Sequence, residues 1–165
     1  PGASGGVGGA LVQLAKRRGA RVIGLASEAK HPEVRALGAD LVLPRAPGNP
    51  RAALAGEAIT VLADVVGGPA FPALLDLLER GGRYTCSGAI AGPMVSLDLR
   101  TLYLRDLTFT GSTVIDLTVM PALVRYIEQG AIRPVLAATF PLERLADAQE
   151  AFAAKHHTGN IVVIP

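Results

Sequence analysis

The chain has 165 residues, half of them hydrophobic, and a formal net charge of only +2. This length favours one domain, and the scattered arginines form no basic patch of the kind that binds nucleic acid. A single cysteine, Cys86, excludes an internal disulfide and a cysteine-based zinc site. Because no uncharged apolar run reaches the ~18 residues that span a bilayer and no signal peptide is visible, we expect no membrane partner and a cytoplasmic location.

The chain opens on a glycine-rich loop, residues 1–9, that runs directly into a predicted helix. Such a loop presents bare backbone N–H groups at a helix N-terminus, where a pyrophosphate can bind. Gly2 and Gly5 would let the backbone turn and approach the phosphate, Gly8 would let the helix pack closely, and Val7 would face the sheet first. An ordinary glycine-rich turn is the alternative. A P-loop is excluded, since no Gly-Lys-Ser/Thr follows the glycines.

Strands and helices alternate along most of the chain. Apolar runs bounded by Gly or Pro predict buried strands, and apolar residues at helical spacing predict helices. The predicted elements are helix 10–18, strand 21–26, helix 32–37, strand 41–43, a helical turn at 52–56, strand 59–66, helix 70–79, strand 83–87, helix 99–104, strand 107–114, helix 117–129, an extended segment 135–140, helix 142–154 and strand 161–164. The alternation up to residue 129 predicts an α/β fold with a doubly wound parallel sheet.

Four ordered motifs resemble the medium-chain dehydrogenase/reductase family, in its quinone oxidoreductase and zinc-type alcohol dehydrogenase-like branch. They are Gly-Ala-Ser-Gly-Gly-Val-Gly at 2–8 with Gln-Leu-Ala-Lys at 13–16, Ala-Leu-Gly-Ala-Asp at 36–40, Asp-Val-Val-Gly-Gly at 64–68, and Thr-Gly-Asn-Ile-Val-Val-Ile-Pro at 158–165. Their order and spacing match the family across nearly the whole chain.

The resemblance implies a two-domain subunit, with a GroES-like catalytic domain and a Rossmann domain that binds a nicotinamide dinucleotide. Residues 1–131 would be the Rossmann domain, lacking its first strand, and residues 132–165 a segment that packs back on the catalytic domain. That domain, and any zinc it binds, would lie outside this chain. The implied pyrophosphate contacts are Ser4, Gly5, Gly6 and Val7.

Two further glycine turns follow predicted strands, Val66-Gly67-Gly68 and Ser87-Gly88-Ala89. Ligands of open α/β sheets bind beyond the carboxyl ends of the strands. The resemblance therefore implies that Val66, Gly67 and Gly88 lie near the adenosine or the nicotinamide. Two tight turns without a ligand are the alternative.

The end of the second Rossmann strand bears on the choice of cofactor. An NAD enzyme usually carries an acidic residue there, but this position holds Ala26, with Glu28 two residues further on. Ser27, Lys30 and Arg45 could instead hold a 2′-phosphate by hydrogen bonds and charge, and similar quinone oxidoreductases use a lysine near position 30. We expect NADP(H) rather than NAD(H). The alternative for Lys30 and Arg45 is a solvated surface charge.

No catalytic or metal-ligating constellation is recognisable in the chain. His31, His156 and His157 have no cysteine or carboxylate at zinc-ligand spacing, and we predict them at the surface. None of the three tyrosines is followed four residues later by lysine, which argues against the Tyr-x-x-x-Lys pair of short-chain dehydrogenases.

The resemblance implies hydride transfer between the nicotinamide and a small-molecule substrate: a quinone, enone, carbonyl or alcohol. A non-catalytic dinucleotide-binding or interaction module is the alternative, because Rossmann domains also serve without turnover. The predicted strand 107–114 would form an exposed sheet edge, which can pair with a second copy. We therefore expect a homodimer through this strand, with a monomer and a covered edge as the alternative.

Overall fold

The computed structural model describes residues 1–45, 50–113 and 116–165. Within these residues helices and strands alternate, and short 3₁₀ turns precede three of the helices. The helices are α1 (Gly6–Arg17), α2 (His31–Ala36), α3 (Pro50–Ala53), α4 (Phe71–Leu75), α5 (Leu99–Tyr103), α6 (Val119–Glu128) and α7 (Leu145–Ala154). The strands are β1 (Ile23–Leu25), β2 (Leu41–Leu43), β3 (Ile59–Asp64), β4 (Leu78–Cys86), β5 (Thr108–Gly111), β6 (Leu136–Pro141) and β7 (Asn160–Ile164).

The chain divides into two compact units. Unit 1 comprises residues 1–2 and 43–115, and unit 2 comprises residues 3–42 and 116–165. Unit 1 contains a three-stranded parallel sheet in the order β3-β4-β5, and unit 2 contains the parallel pair β6-β7. The predicted α/β class with parallel strands is confirmed. The predicted domain boundary at residue 131 stays a prediction.

The core of unit 1 lies between α4 and the sheet. Leu75 and Leu78 are each 1% exposed, and the ring of Phe71 meets that of Tyr84 edge-on, with centroids 5.3 Å apart. Phe109 on β5 extends the cluster, with its ring centroid 5.0 Å from that of Tyr84. Because α4 carries Phe71 and Leu75 at helical spacing, one face of a short helix covers the neighbouring strands.

The core of unit 2 forms around α1. Its buried cluster consists of Ala3, Val12, Ala26, Val34, Ala39 and Val42. Beside it the Asp40 carboxylate accepts hydrogen bonds from the Val22 backbone N–H at 2.7 Å and the Lys16 ammonium at 3.0 Å. These two donors hold the pKa of Asp40 below its ordinary range. The acidic residue of the 36–40 motif thus fastens the end of α1 to the segment before β1.

The tail of unit 2 is fastened to α1 by Gln13. Its side-chain Nε2 donates to the Arg133 carbonyl at 3.0 Å, and its Oε1 accepts from the Arg133 N–H at 2.8 Å. One amide side chain therefore satisfies both backbone groups of a residue more than a hundred positions away. This contact gives the glutamine of the 13–16 motif a structural role.

The largest differences from the predicted boundaries are at the start of α1 and at the junction of α4 with β4. Helix α1 starts at Gly6 instead of residue 10, so that the later loop glycines are helical. Val7 is 62% exposed and Val12 3% exposed, and the prediction that Val7 faces the sheet is therefore wrong. Helix α4 ends at Leu75 instead of residue 79, because β4 already begins at Leu78.

The other predicted helices and strands differ from the observed ones mainly in length. The predicted strand 107–114 is observed as β5 over Thr108–Gly111, and residue 114 lies outside the described residues. The predicted helix 142–154 consists of a 3₁₀ turn followed by α7. Among the described residues, no helix combines the length and the apolar character needed to cross a membrane.

We expect Leu75→Ala to lower the free energy of unfolding by about 2–5 kcal/mol, because it opens a cavity in the core of unit 1. Leu104 in the same unit is 59% exposed, and Leu104→Ala should change that free energy by no more than about 0.5 kcal/mol. Urea unfolding of the two variants measures both values. Equal losses would contradict the core position of Leu75.

Candidate functional site

The phosphate-binding loop predicted from sequence is formed by residues that fold back on β1. The Ala3 N–H donates to the Leu25 carbonyl at 3.1 Å, and both Ala3 and Ser4 are buried. Gly5 is the N-cap of α1, and no side chain caps the helix there. The first N–H groups of a helix have no partner within it and carry its positive dipole end. This N-terminus is therefore suited to bind an anion.

The other end of the chain closes the loop. The Gly159 N–H donates to the Ser4 carbonyl at 2.9 Å, and Gly5 and Gly159 form a parallel β-bridge. A Cβ atom on Gly6 would collide with the side-chain amide of Asn160. Ser4, Gly5 and Gly6 thus come together with Gly159 and Asn160. Sequence reasoning assigned no role to Asn160, since only the 158–165 motif marked it and no pattern linked it to the loop.

The turn after β1 carries two of the residues proposed for the 2′-phosphate. Ala26 is 1% exposed and Ser27 is half-buried, and a 3₁₀ turn over Glu28–Lys30 follows. Lys30 is only 8% exposed, in contrast to the alternative of a solvated surface charge. Its Nζ donates to the backbone carbonyls of Lys155, at 2.7 Å, and His157. Arg45, the third such residue, is exposed and belongs to unit 1.

A second candidate region in unit 1 is organised by a buried carboxylate. Asp64 at the end of β3 is 1% exposed, and its Oδ1 accepts from the N–H groups of Val66 at 2.7 Å and Gly67 at 3.0 Å. Its Oδ2 accepts from the Tyr84 hydroxyl at 3.1 Å. Since a buried charge is costly unless hydrogen-bonded, these donors stabilise Asp64, and Asp64 in turn shapes the backbone that follows β3.

The turns after β3 and β4 lie against each other. The Ala91 N–H donates to the Val66 carbonyl at 2.8 Å, and a Cβ on Gly88 would lie 3.1 Å from the Val65 carbonyl oxygen. Gly67 has φ of 61°, and a Cβ there would lie 2.9 Å from the Gly92 carbonyl oxygen. Only glycine fits this left-handed and crowded position. Val66, Gly67 and Gly88, predicted separately, are therefore neighbours.

Tyr84 is held in its neutral form. Burial, together with the neighbouring Cys86 and the negative charge of Asp64, raises the pKa of Tyr84 well above its ordinary value. A neutral phenol is the form that donates to the carboxylate, since a phenolate would face Asp64 as a second anion. The pair is thus a structural hydrogen bond and not a proton-transfer site at neutral pH.

The histidines form no metal site in the part of the chain that the structure describes. His156 is exposed, as predicted, whereas His31 and His157 are half-buried, so the surface prediction is wrong for these two. The His31 ring lies 3.3 Å from the Ala26 carbonyl oxygen, and the His157 ring stacks near Phe152. Across residues 1–45, 50–113 and 116–165 no group of three His, Cys, Asp or Glu side chains is placed to hold a metal ion. These residues therefore do not fit a zinc ion.

The chain is similar to proteins of one family over most of its length. The family model described as zinc-binding dehydrogenase matches residues 6–129. The acryloyl-coenzyme A reductase of Metallosphaera sedula is 33% identical over 164 residues, which cover 98% of this chain and 48% of that protein. The chain thus spans about half the length of the curated relatives it matches.

Solved structures agree with this similarity. A provisionally assigned alcohol dehydrogenase from Sinorhizobium meliloti 1021 is 46% identical, with a TM-score of 0.94, over 99% of this chain and 46% of that one. The 2-octenoyl-CoA carboxylase reductase CinF, solved in complex with NADP and 2-octenoyl-CoA, is 27% identical. It gives a TM-score of 0.88 over 99% of this chain and 42% of its own.

We expect Tyr84→Phe to lower the free energy of unfolding by about 1–2 kcal/mol at neutral pH, because Asp64 loses a donor. The folded-state pKa of Tyr84 lies above its unfolded value near 10.0. The stabilisation is therefore complete below about pH 10 and lost as the pH rises further, and the wild type and the variant should converge there.

Urea unfolding between about pH 7 and pH 11 measures this convergence. Tyr103 is 61% exposed, and Tyr103→Phe is the matched control, with an expected change within about 0.5 kcal/mol at neutral pH. A difference between the wild type and Tyr84→Phe that stays constant up to pH 11 would contradict the buried neutral phenol.

Proposed function

This chain belongs to the zinc-binding dehydrogenase family, within the medium-chain dehydrogenase/reductases, and from that membership we propose that it is the cofactor-binding part of an NADP(H)-dependent oxidoreductase. The observation that carries the proposal is the uncapped N-terminus of α1, with Gly5 as its N-cap and Ser4 buried beneath it. A pyrophosphate bound there would accept hydrogen bonds from the free N–H groups and lie at the positive end of the helix dipole.

The proposed pyrophosphate contacts are Ser4, Gly5, Gly6 and Val7. Val7 is exposed on the first turn of α1, where its backbone N–H belongs to the unpaired set of the helix. Asn160 joins them in the proposal, because its side chain lies against Gly6. Its Nδ2 donates one hydrogen to the Val135 carbonyl at 3.4 Å, and the second hydrogen could donate to a phosphate oxygen in addition to the backbone groups.

The preference for NADP(H) rests on the turn after β1. That strand is followed by Ala26, so the carboxylate that NAD enzymes direct at the ribose hydroxyls is missing from this position. Ser27 is the N-cap of this turn and brings a hydroxyl to it, whereas the Lys30 ammonium in the same turn is directed at the backbone carbonyls of Lys155 and His157. The NADP found in the structure of the relative CinF supports the same choice. Arg45 remains a proposed contact from the sequence.

Val66, Gly67 and Gly88 are proposed to lie against the adenosine or nicotinamide part of the cofactor. Asp64 holds the first turn through the N–H groups of Val66 and Gly67, and the Ala91 N–H joins the second turn to the Val66 carbonyl. The glycines of these turns carry no side chain, which permits close approach of a flat ring to the backbone. The proposed homodimer through strand 107–114 and the cytoplasmic location stay predictions from the sequence.

When bound, the nicotinamide would supply the hydride, and the protein would orient and shield it. We propose an electron-poor alkene conjugated to a carbonyl as the substrate class, because the relatives include reductases named for acryloyl-CoA and 2-octenoyl-CoA. Quinones, simple carbonyls and alcohols are the other acceptors and donors to be screened. No residue of this chain is proposed to act as a catalytic acid or base.

A non-catalytic dinucleotide-binding module is the second candidate, because no catalytic group is recognisable among the described residues. Calorimetric titration of the full-length protein with NADPH and NADH tests the cofactor site. Failure of both nucleotides to bind would overturn the proposal. Turnover of enones, enoyl thioesters, quinones or alcohols would exclude the non-catalytic alternative.

We expect Ser27→Asp to weaken NADPH binding at least about tenfold and to leave NADH binding nearly unchanged, because a carboxylate would repel the 2′-phosphate. Ser27→Asn is the matched control of similar size without the charge. Titration of both variants with both nucleotides measures the selectivity. An equal loss for NADPH and NADH would contradict the position of the 2′-phosphate at this turn.

A further inference from the structure

Lys30 combines burial with an unusual set of partners. Its ammonium donates to two backbone carbonyls, those of Lys155 and His157, and the residue is 8% exposed. A lysine is almost never this buried unless its charge is paired or hydrogen-bonded. Two of the three hydrogens that an ammonium can donate are thus directed at protein carbonyls.

The two carbonyls that Lys30 contacts lie at the C-terminus of α7 and just beyond it. Lys155 is the C-cap of this helix and has a left-handed backbone, with φ of 56°. The last carbonyls of a helix lack partners within it and form the negative end of its dipole, where a cation is favoured. The Lys30 ammonium, supplied from a distant part of the chain, therefore binds the C-cap carbonyl of α7 and the carbonyl of His157, two residues beyond it.

The segment from residue 155 to residue 160 also contacts the phosphate-binding loop. The Gly159 N–H donates to the Ser4 carbonyl, and Gly159 forms a β-bridge with Gly5. Gly159 has φ of 88°, and a Cβ there would lie 2.6 Å from the Val135 Cβ. Gly159 is thus confined between Ser4 on one side and Val135 on the other.

Lys30 is equally tied to the turn that carries Ser27. Its own N–H donates to the Ser27 carbonyl at 2.9 Å within the 3₁₀ turn. One residue therefore joins the turn after β1 to segment 155–160, and that segment joins the loop before α1. All three pieces belong to unit 2.

We propose that Lys30 is a positioning residue of the nucleotide site and not a ligand of the 2′-phosphate. By holding segment 155–160 against the turn, it fixes Ser27 and, through Gly159, the loop at Ser4 and Gly5. This inference rests on the proposed function for its nucleotide, but the contact itself is independent of it. A ligand of the 2′-phosphate would affect NADPH alone, whereas a positioning residue affects both nucleotides.

The test uses the full-length protein with Lys30→Met, which keeps the aliphatic stem and removes the donors. The dissociation constants of NADPH and NADH should both rise, each about tenfold, with their ratio unchanged, because hydrogen bonds to charged groups are among the stronger ones. Lys30→Arg should restore much of the affinity for both. Lys155→Met is the control, since it removes an equal charge from the same segment, together with the ammonium contact to the Phe152 ring, but keeps the backbone carbonyl that Lys30 contacts.

Amide hydrogen exchange in the absence of nucleotide tests directly whether Lys30 stabilises these segments. Lys30→Met should speed amide exchange in residues 28–31 and 155–160 while distant core amides keep their protection. Gly159→Ala provides a second variant, which perturbs the segment without touching the lysine and should likewise weaken both nucleotides.

A loss confined to NADPH would overturn the proposal in favour of a direct phosphate contact. Unchanged binding of both nucleotides, or unchanged exchange in segment 155–160, would overturn it as well. If the wild type binds neither nucleotide, the proposed function fails, and the exchange result alone decides whether Lys30 holds the segment.

Discussion

The candidate nucleotide site depends on keeping the first N–H groups of α1 free while the loop before them is held still. A side-chain cap at a helix N-terminus accepts a hydrogen bond from one of the unpaired N–H groups and so removes it from binding. Here Gly5 provides no cap, and the rigidity comes from backbone contacts of Ala3 with β1 and of Ser4 with Gly159. These contacts therefore fix the loop on its buried side, and the first N–H groups of α1 on the opposite side remain available to an anion.

Unit 1 solves a similar problem with a buried carboxylate. The turn after β3 needs a defined backbone conformation without bulky side chains. Asp64 fixes this conformation by accepting hydrogen bonds from the backbone N–H groups of Val66 and Gly67. Tyr84 satisfies the remaining oxygen, and burial keeps its phenol neutral, with a raised pKa. In both units polar contacts on the buried side shape a glycine-rich turn, and side-chain bulk is kept off the opposite side.

Much of the fold could be predicted, because local rules act over a few residues. The alternation of apolar runs and glycine breaks gave the order of helices and strands, and the four motifs indicated the family. Boundaries were less accurate where glycine is involved. Gly6 is helical because the packing of α1 outweighs the low helix propensity of its glycines. Strand β4 begins early at Leu78, because that residue pairs with Ile59 and is buried.

The sequence by itself determined the parallel α/β class, the family, and the glycine loop as the candidate phosphate site, because each is written in short-range spacing and ordered motifs. The tertiary structure alone decided that Gly159 and Asn160 back this loop, and that Lys30 is buried against the end of α7 instead of lying in solvent. It also decided that His157 is half-buried. These features depend on contacts between residues far apart in the chain, and no local pattern records which distant carbonyl a lysine will meet.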